Sequence, residues 1–120
     1  MFRPSSIFLV EDDPDVRATM AAMLRELGHR VVAEAATIPD ASAFAVTAEF
    51  DLAVLDINIG GYRIDPVVHL VQRRFRPMLF VTGNGTRWLP SLFRGHAVLE
   101  KPISIEKLEE MIDGIVGHAE

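Results

Sequence analysis

The stretch Ile7-Phe8-Leu9-Val10-Glu11-Asp12-Asp13-Pro14 decides the fold. Four apolar strand formers in a row suit a strand covered on both faces, as in a parallel sheet. The run stops at three acids, and Asp13 before Pro14 predicts a helix N-cap with proline at the first helical position. Val16, Met20, Met23, Leu24 and Leu27 then recur at helical spacing, and Gly28 predicts the C-cap. The eight residues are therefore the hinge of a strand–helix unit with carboxylates at the turn.

The same alternation continues outward. Val31 to Ala35 predicts a second strand, and Pro39 opens a second helix through about Ala48, with Phe44 and Ala45 inward. Leu52-Ala53-Val54-Leu55 is the third strand, ending at Asp56; Gly60-Gly61 marks a loop. Ile64 to Phe75 suits a third helix with Val67, Val68 and Val71 on one side. Met78 to Val81 is a strand ending at Thr82, and Ala97-Val98-Leu99 is another, ending at Glu100-Lys101-Pro102. Ile105, Leu108, Met111, Ile112 and Ile115 make the last helix amphipathic. Between Gly83 and Gly95, three glycines and Pro90 leave room for a short or irregular turn rather than a full fourth helix. Units of this kind form an α/β domain, a five-stranded parallel sheet with helices on both faces.

Bulk properties remove several functions. The chain has 120 residues, one domain over 1–120 with no output domain expected. It has no cysteine, which excludes disulfides and thiolate metal sites. A net charge of −5 argues against nucleic-acid binding, and Arg73, Arg74 and Arg76 read as a solvated helix end rather than a basic patch. Apolar runs fall far short of the ~20 residues of a membrane span, and nothing resembles a secretory signal. A cytoplasmic protein is expected.

In open parallel sheets ligands sit beyond the carboxyl ends of the strands. Those ends carry Glu11-Asp12, Asp56, Thr82 and Lys101. Clustered carboxylates are costly unless a cation neutralises them. Oxygen ligands without sulfur or a histidine pair favour Mg²⁺. An aspartate can act as nucleophile toward phosphorus, with a lysine and a hydroxyl stabilising the phosphoryl oxygens.

This set resembles the receiver domain of bacterial two-component response regulators, over nearly the whole chain. Val10-Glu11-Asp12-Asp13-Pro14, Leu55-Asp56, Val81-Thr82-Gly83 and Glu100-Lys101-Pro102 carry the resemblance through their order and spacing. It implies the strand order 2-1-3-4-5. It also implies that Glu11, Asp12, Asp56 and the Asn58 backbone carbonyl hold Mg²⁺, and that Asp56 accepts the phosphoryl group. Thr82 is then the switch hydroxyl and Lys101 the phosphate-binding lysine; Asp13 caps the helix. The implied partners are a histidine kinase or phosphotransfer protein and an unknown downstream protein, with the chain a monomer or weak dimer. Such a chain modifies only itself at Asp56 and is not a turnover enzyme.

Three features depart from the family pattern. The aromatic residue usual before the lysine is missing, its place falling near Val98. The interval from Thr82 to Lys101 is short, and the loop after Asp56 lacks the usual proline. Phe80-Val81-Thr82-Gly83 is similar to a subgroup of single-domain receivers with a Phe-Ala-Thr-Gly motif. Asn58 and Asn84 lie where receivers set phosphoaspartate lifetime, and both small neutral side chains imply minutes or less.

Alternatives stand beside this reading. A phosphorylation-independent interaction module would keep the fold, but the complete acidic and basic set counts against it. An aspartate-nucleophile phosphatase would need a second Asp where Asn58 stands. A phosphate sink, draining a shared kinase, fits equally well. Trp88 and Phe93 either cover a small core or form an exposed partner surface. His29, His69, His96 and His118 lack ligand spacing and read as surface or structural.

Overall fold

Side-chain alternation along the central strands builds two cores, one on each face of a single sheet. The computed structural model describes residues 2–83, 85–87 and 89–117. Strands β1 (Ser6–Val10), β2 (Arg30–Ala35), β3 (Leu52–Asp56), β6 (Met78–Thr82) and β7 (Ala97–Glu100) pair in parallel in the order β2-β1-β3-β6-β7. Strands β4 (Asn58–Ile59) and β5 (Tyr62–Arg63) form a separate antiparallel hairpin. Setting that hairpin aside, the order is the expected 2-1-3-4-5.

Phe8, Val10, Ala53, Leu55 and Phe80 face helices α2 (Ile38–Thr47) and α3 (Asp65–Arg73). Ile7, Leu9, Leu52, Val54, Leu79 and Val81 face α1 (Pro14–Glu26) and α4 (Ile105–Val116). Continuous apolar runs arise because every residue of β3 and β6 is buried. The predicted Val67, Val68 and Val71 are the buried stripe of α3, whereas α4 buries Leu108 and Ile112 of its predicted five.

Helix ends follow local chemistry. Asp13 Oδ1 accepts hydrogen bonds from the N–H groups of Asp15 and Val16, with Pro14 at the first helical position. Beyond the C-cap Leu27, Gly28 takes φ +92° and reverses the chain into β2. Ser104 caps α4 in the same manner as Asp13, accepting from Lys107 N–H.

Four expectations need correction. Helix α2 begins at Ile38 behind a Thr37 N-cap, and Phe44 is not an inward residue but 37% exposed. The small Ala41 and Ala45 let the helix approach the sheet, so Phe44 meets only the edge of Phe8, with centroids 6.3 Å apart. Helix α3 stops at Arg73; Phe75 takes a left-handed φ of 57° and is 91% exposed. Arg74 is no solvated helix end, since its Nη1 donates to the carbonyls of Ala45 and Ala48 and its guanidinium covers Phe50. Gly60-Gly61, read as loop, is the two-residue turn of the hairpin, with φ +57° and +84°.

Between β6 and β7 the expected short element is a 3₁₀ turn, Ser91–Phe93. Phe93 is fully buried and meets Phe80 edge-on at 4.8 Å, which excludes it from an exposed partner surface. Trp88, Asn84 and His118 lie outside the described residues. Among the described residues no helix is long and apolar enough to cross a membrane.

His29 is structural: it is buried, and its Nδ1 accepts the Ser5 N–H at 3.0 Å. Burial pulls its pKa below the ordinary 6.5, against a weaker upward pull from Asp113. The unfolded chain therefore takes up the proton first. Stability from the neutral imidazole is complete above about pH 6.5 and is lost as pH falls below it. In paired melting curves from pH 8 to 5.5, wild type should lose stability relative to His29→Asn, whose Oδ1 can still accept from Ser5. Parallel curves for the two proteins would contradict this account.

Candidate functional site

The parallel register sets the strand ends side by side. Val10 pairs with Leu55, so the next residues on β1 and β3 are Glu11 and Asp56. Asp56 pairs with Val81, one residue before Thr82, and Thr82 pairs with Glu100, one residue before Lys101. A ladder bond from Lys101 N–H to the Thr82 carbonyl at 2.9 Å continues the sheet past β7, and the Lys101–Pro102 peptide is cis.

Four of the six expected residues meet through their side chains. Carboxylate oxygens of Glu11, Asp12 and Asp56 lie within 4.8 Å of one another. The Lys101 ammonium reaches Asp56 Oδ2 at 2.6 Å and Glu11 Oε1 at 2.7 Å. The other oxygen of Asp56 accepts the Asn58 N–H at 3.0 Å. Asn58 thus acts here through its amide, while its side chain is exposed on β4. Thr82 is buried at the end of β6 and shares a cavity wall with Asn58.

Sequence reasoning did not reach the supporting contacts. Asp13 N–H donates to Glu11 Oε2, and Arg17 Nη1 donates to the Glu11 carbonyl. Gly60 N–H donates to Asp12 Oδ2 at 2.9 Å, tying the hairpin tip to the acids. The two glycines were the available signal, because a Gly-Gly pair between short strand formers predicts such a turn.

Electrostatics separate Glu11 from Asp12. Burial pushes the Glu11 carboxyl up to about 7, against the Lys101 ammonium and the Asp13 N–H, which favour its charged form. The Gly60 N–H holds Asp12 below the usual aspartate range. Desolvation pulls the Lys101 ammonium down, but Asp56 and Glu11 outweigh it and raise its pKa.

The site fits a hard divalent cation. All donors are oxygen, three are carboxylates, and Glu11 Oε1 is buried with the Lys101 ammonium 2.7 Å away. A cation bound between Glu11, Asp12 and Asp56 would occupy that oxygen and relieve the crowding of like charges.

A family model described as response regulator receiver domain matches residues 7–113. The transcriptional regulatory protein PdtaR of Mycobacterium tuberculosis is 30% identical over 114 residues, covering 92% of this chain and 56% of that protein. The chain therefore spans about half the length of the curated relatives it matches. Among solved structures, SdrG from Sphingomonas melonis Fr1 superposes with a TM-score of 0.81 at 29% identity, covering 93% of this chain and 96% of that one. The receiver domain of a sensor histidine kinase from Pseudomonas aeruginosa PAO1 superposes at 0.82 with 24% identity, covering 96% and 99%. That structure has a magnesium ion coordinated in its active-site cleft.

Proposed function

The chain belongs to the response regulator receiver domain family, and on that premise we propose that it accepts a phosphoryl group on Asp56 with Mg²⁺. The observation that carries the proposal is Lys101 Nζ, bonded to Asp56 Oδ2 at 2.6 Å beside the carboxylates of Glu11 and Asp12. Glu11, Asp12, Asp56 and the Asn58 carbonyl would hold the metal, which supplies charge neutralisation on the phosphoryl oxygens. Asp56 is aimed by the Asn58 N–H on Oδ1. Its oxygen attacks phosphorus, an aspartyl O–P bond forms, and the P–N bond of a phosphohistidine donor breaks with its electron pair passing to the imidazole. Lys101 leaves Asp56 Oδ2 for a phosphoryl oxygen, and the Thr82 hydroxyl donates to another.

The donor in this reading is a histidine kinase or a histidine phosphotransfer protein. The signal passes to a protein partner, or the chain drains phosphoryl groups from a shared kinase. PdtaR, a transcriptional regulatory protein by name and 30% identical to this chain, supports a signalling role without naming the target.

Intact-mass measurement after incubation with phosphoramidate or acetyl phosphate tests the proposal. The expected result is one added phosphoryl group that requires Mg²⁺ and is lost in Asp56→Asn. An unmodified protein with and without Mg²⁺ would leave the fold standing as an interaction module only.

A further inference from the structure

A cavity of about 280 Å³ opens beside the acidic site, lined by Asn58, Thr82, Gly85 and Arg63 with apolar walls of Ile57 and Leu89. Among the described residues lining it, Arg63 is the only charged one. The hairpin brings it there: Arg63 pairs with Asn58, two residues from Asp56. The guanidinium is held in a fixed pose. Nε and Nη2 donate to the two oxygens of Asp65 at 2.9 and 2.6 Å, and the Phe93 ring covers one face at 5.5 Å. Nη1 has no hydrogen-bond partner among the described residues.

The geometry points to Arg63 as a specificity-determining residue for the phosphodonor, favouring donors that carry more negative charge at the phosphoryl end. This rests on the phosphoryl-acceptor reading above. Asp65 pairs with Arg63 but does not line the cavity, so the charged residue the cavity meets is Arg63. The acids Glu11, Asp12 and Asp56 repel an incoming anion, and a guanidinium on the rim offsets that repulsion where the donor enters. Arg63 need not touch the reacting atoms to do this. It biases encounter and pose, while Asp56 and Lys101 carry the chemistry.

Two small donors separate charge from fit. Acetyl phosphate is a dianion near neutral pH, and phosphoramidate carries one negative charge fewer. Rates of Asp56 phosphorylation in Mg²⁺ buffer would be compared for wild type, Arg63→Gln, Arg63→Lys and Asp65→Asn, at low and high salt. Arg63→Gln should lose about three- to tenfold in rate with acetyl phosphate and clearly less with phosphoramidate. Arg63→Lys should retain most of the rate, and the acetyl phosphate loss should shrink in high salt. Asp65→Asn should move the other way and gain with acetyl phosphate, because it unmasks the cation.

A merely structural ion pair would make Arg63→Gln and Asp65→Asn fall together, by one factor for both donors, and that result overturns the inference. Wild type that takes up phosphoryl groups with Arg63→Gln unchanged would also overturn it while leaving the acceptor reading intact. Wild type unmodified by either donor overturns both.

Discussion

Phosphoryl acceptance should slow by about 10²–10³-fold in Lys101→Met at saturating Mg²⁺, the loss typical of removing one preorganised charge stabiliser. Methionine keeps the stem but deletes the ammonium that lies 2.6 Å from Asp56 Oδ2 and 2.7 Å from Glu11 Oε1. No other cation contacts these oxygens among the described residues. Stopped reactions with phosphoramidate, read by intact mass, give the rate directly. A variant within twofold of wild type would remove Lys101 from the mechanism.

The same substitution has a thermodynamic signature. Glu11 titrates at about 7 in the fold against an ordinary 4.5, so without metal the native state holds the proton more tightly than the unfolded chain. Its contribution to stability is complete below about pH 4.5 and is lost as pH rises toward 7. Lys101→Met removes the ammonium that favours charged Glu11, and should extend that loss to higher pH. Mg²⁺ should flatten the profile in both proteins, since it binds the folded carboxylates and not the dispersed ones. Melting curves from pH 5 to 8, with and without Mg²⁺, check this independently of the rate.

Much of the site was legible in the sequence for a physical reason. In a parallel sheet the strand ends are the only place where buried apolar runs meet solvent, so an acid or lysine there stands out against Val10, Leu55, Val81 or Leu99. Register then did the rest without further information. The contacts that escaped detection come from long side chains crossing between elements. Arg74 reaches from the end of α3 to carbonyls near the end of α2, and Arg63 reaches from the hairpin to Phe93. Neither leaves a periodic pattern. Phe44 misled because hydrophobicity ranks it inward, whereas helix-to-sheet distance is set by the alanines beside it. The hairpin strands are two residues each, too short for alternation to register, and only Gly60-Gly61 betrays them.

The missing aromatic near Val98 directs attention to the Phe80–Phe93 pair, and its energetics follow from placement. Both rings are fully buried and packed edge-on at 4.8 Å. Phe80 sits on β6, buried along its whole length between β3 and β7. Phe80→Ala should therefore leave a cavity that cannot collapse and cost about 3–5 kcal/mol, a large share of the 5–15 kcal/mol of a typical domain. Phe93 lies on a single 3₁₀ turn tied down by few backbone bonds, so the chain around it can settle into the space. Phe93→Ala should cost roughly 2–3 kcal/mol, toward or below the low end of the range for this substitution. The coupling between the two, from a double-mutant cycle in urea, should be about 0.5–1.5 kcal/mol. Phe93→Ala should still accept a phosphoryl group, because Asp56, Lys101 and the acids are held by strand ends that the turn does not support. Equal costs for the two single variants would show that residues 91–93 are as integral to the fold as β6.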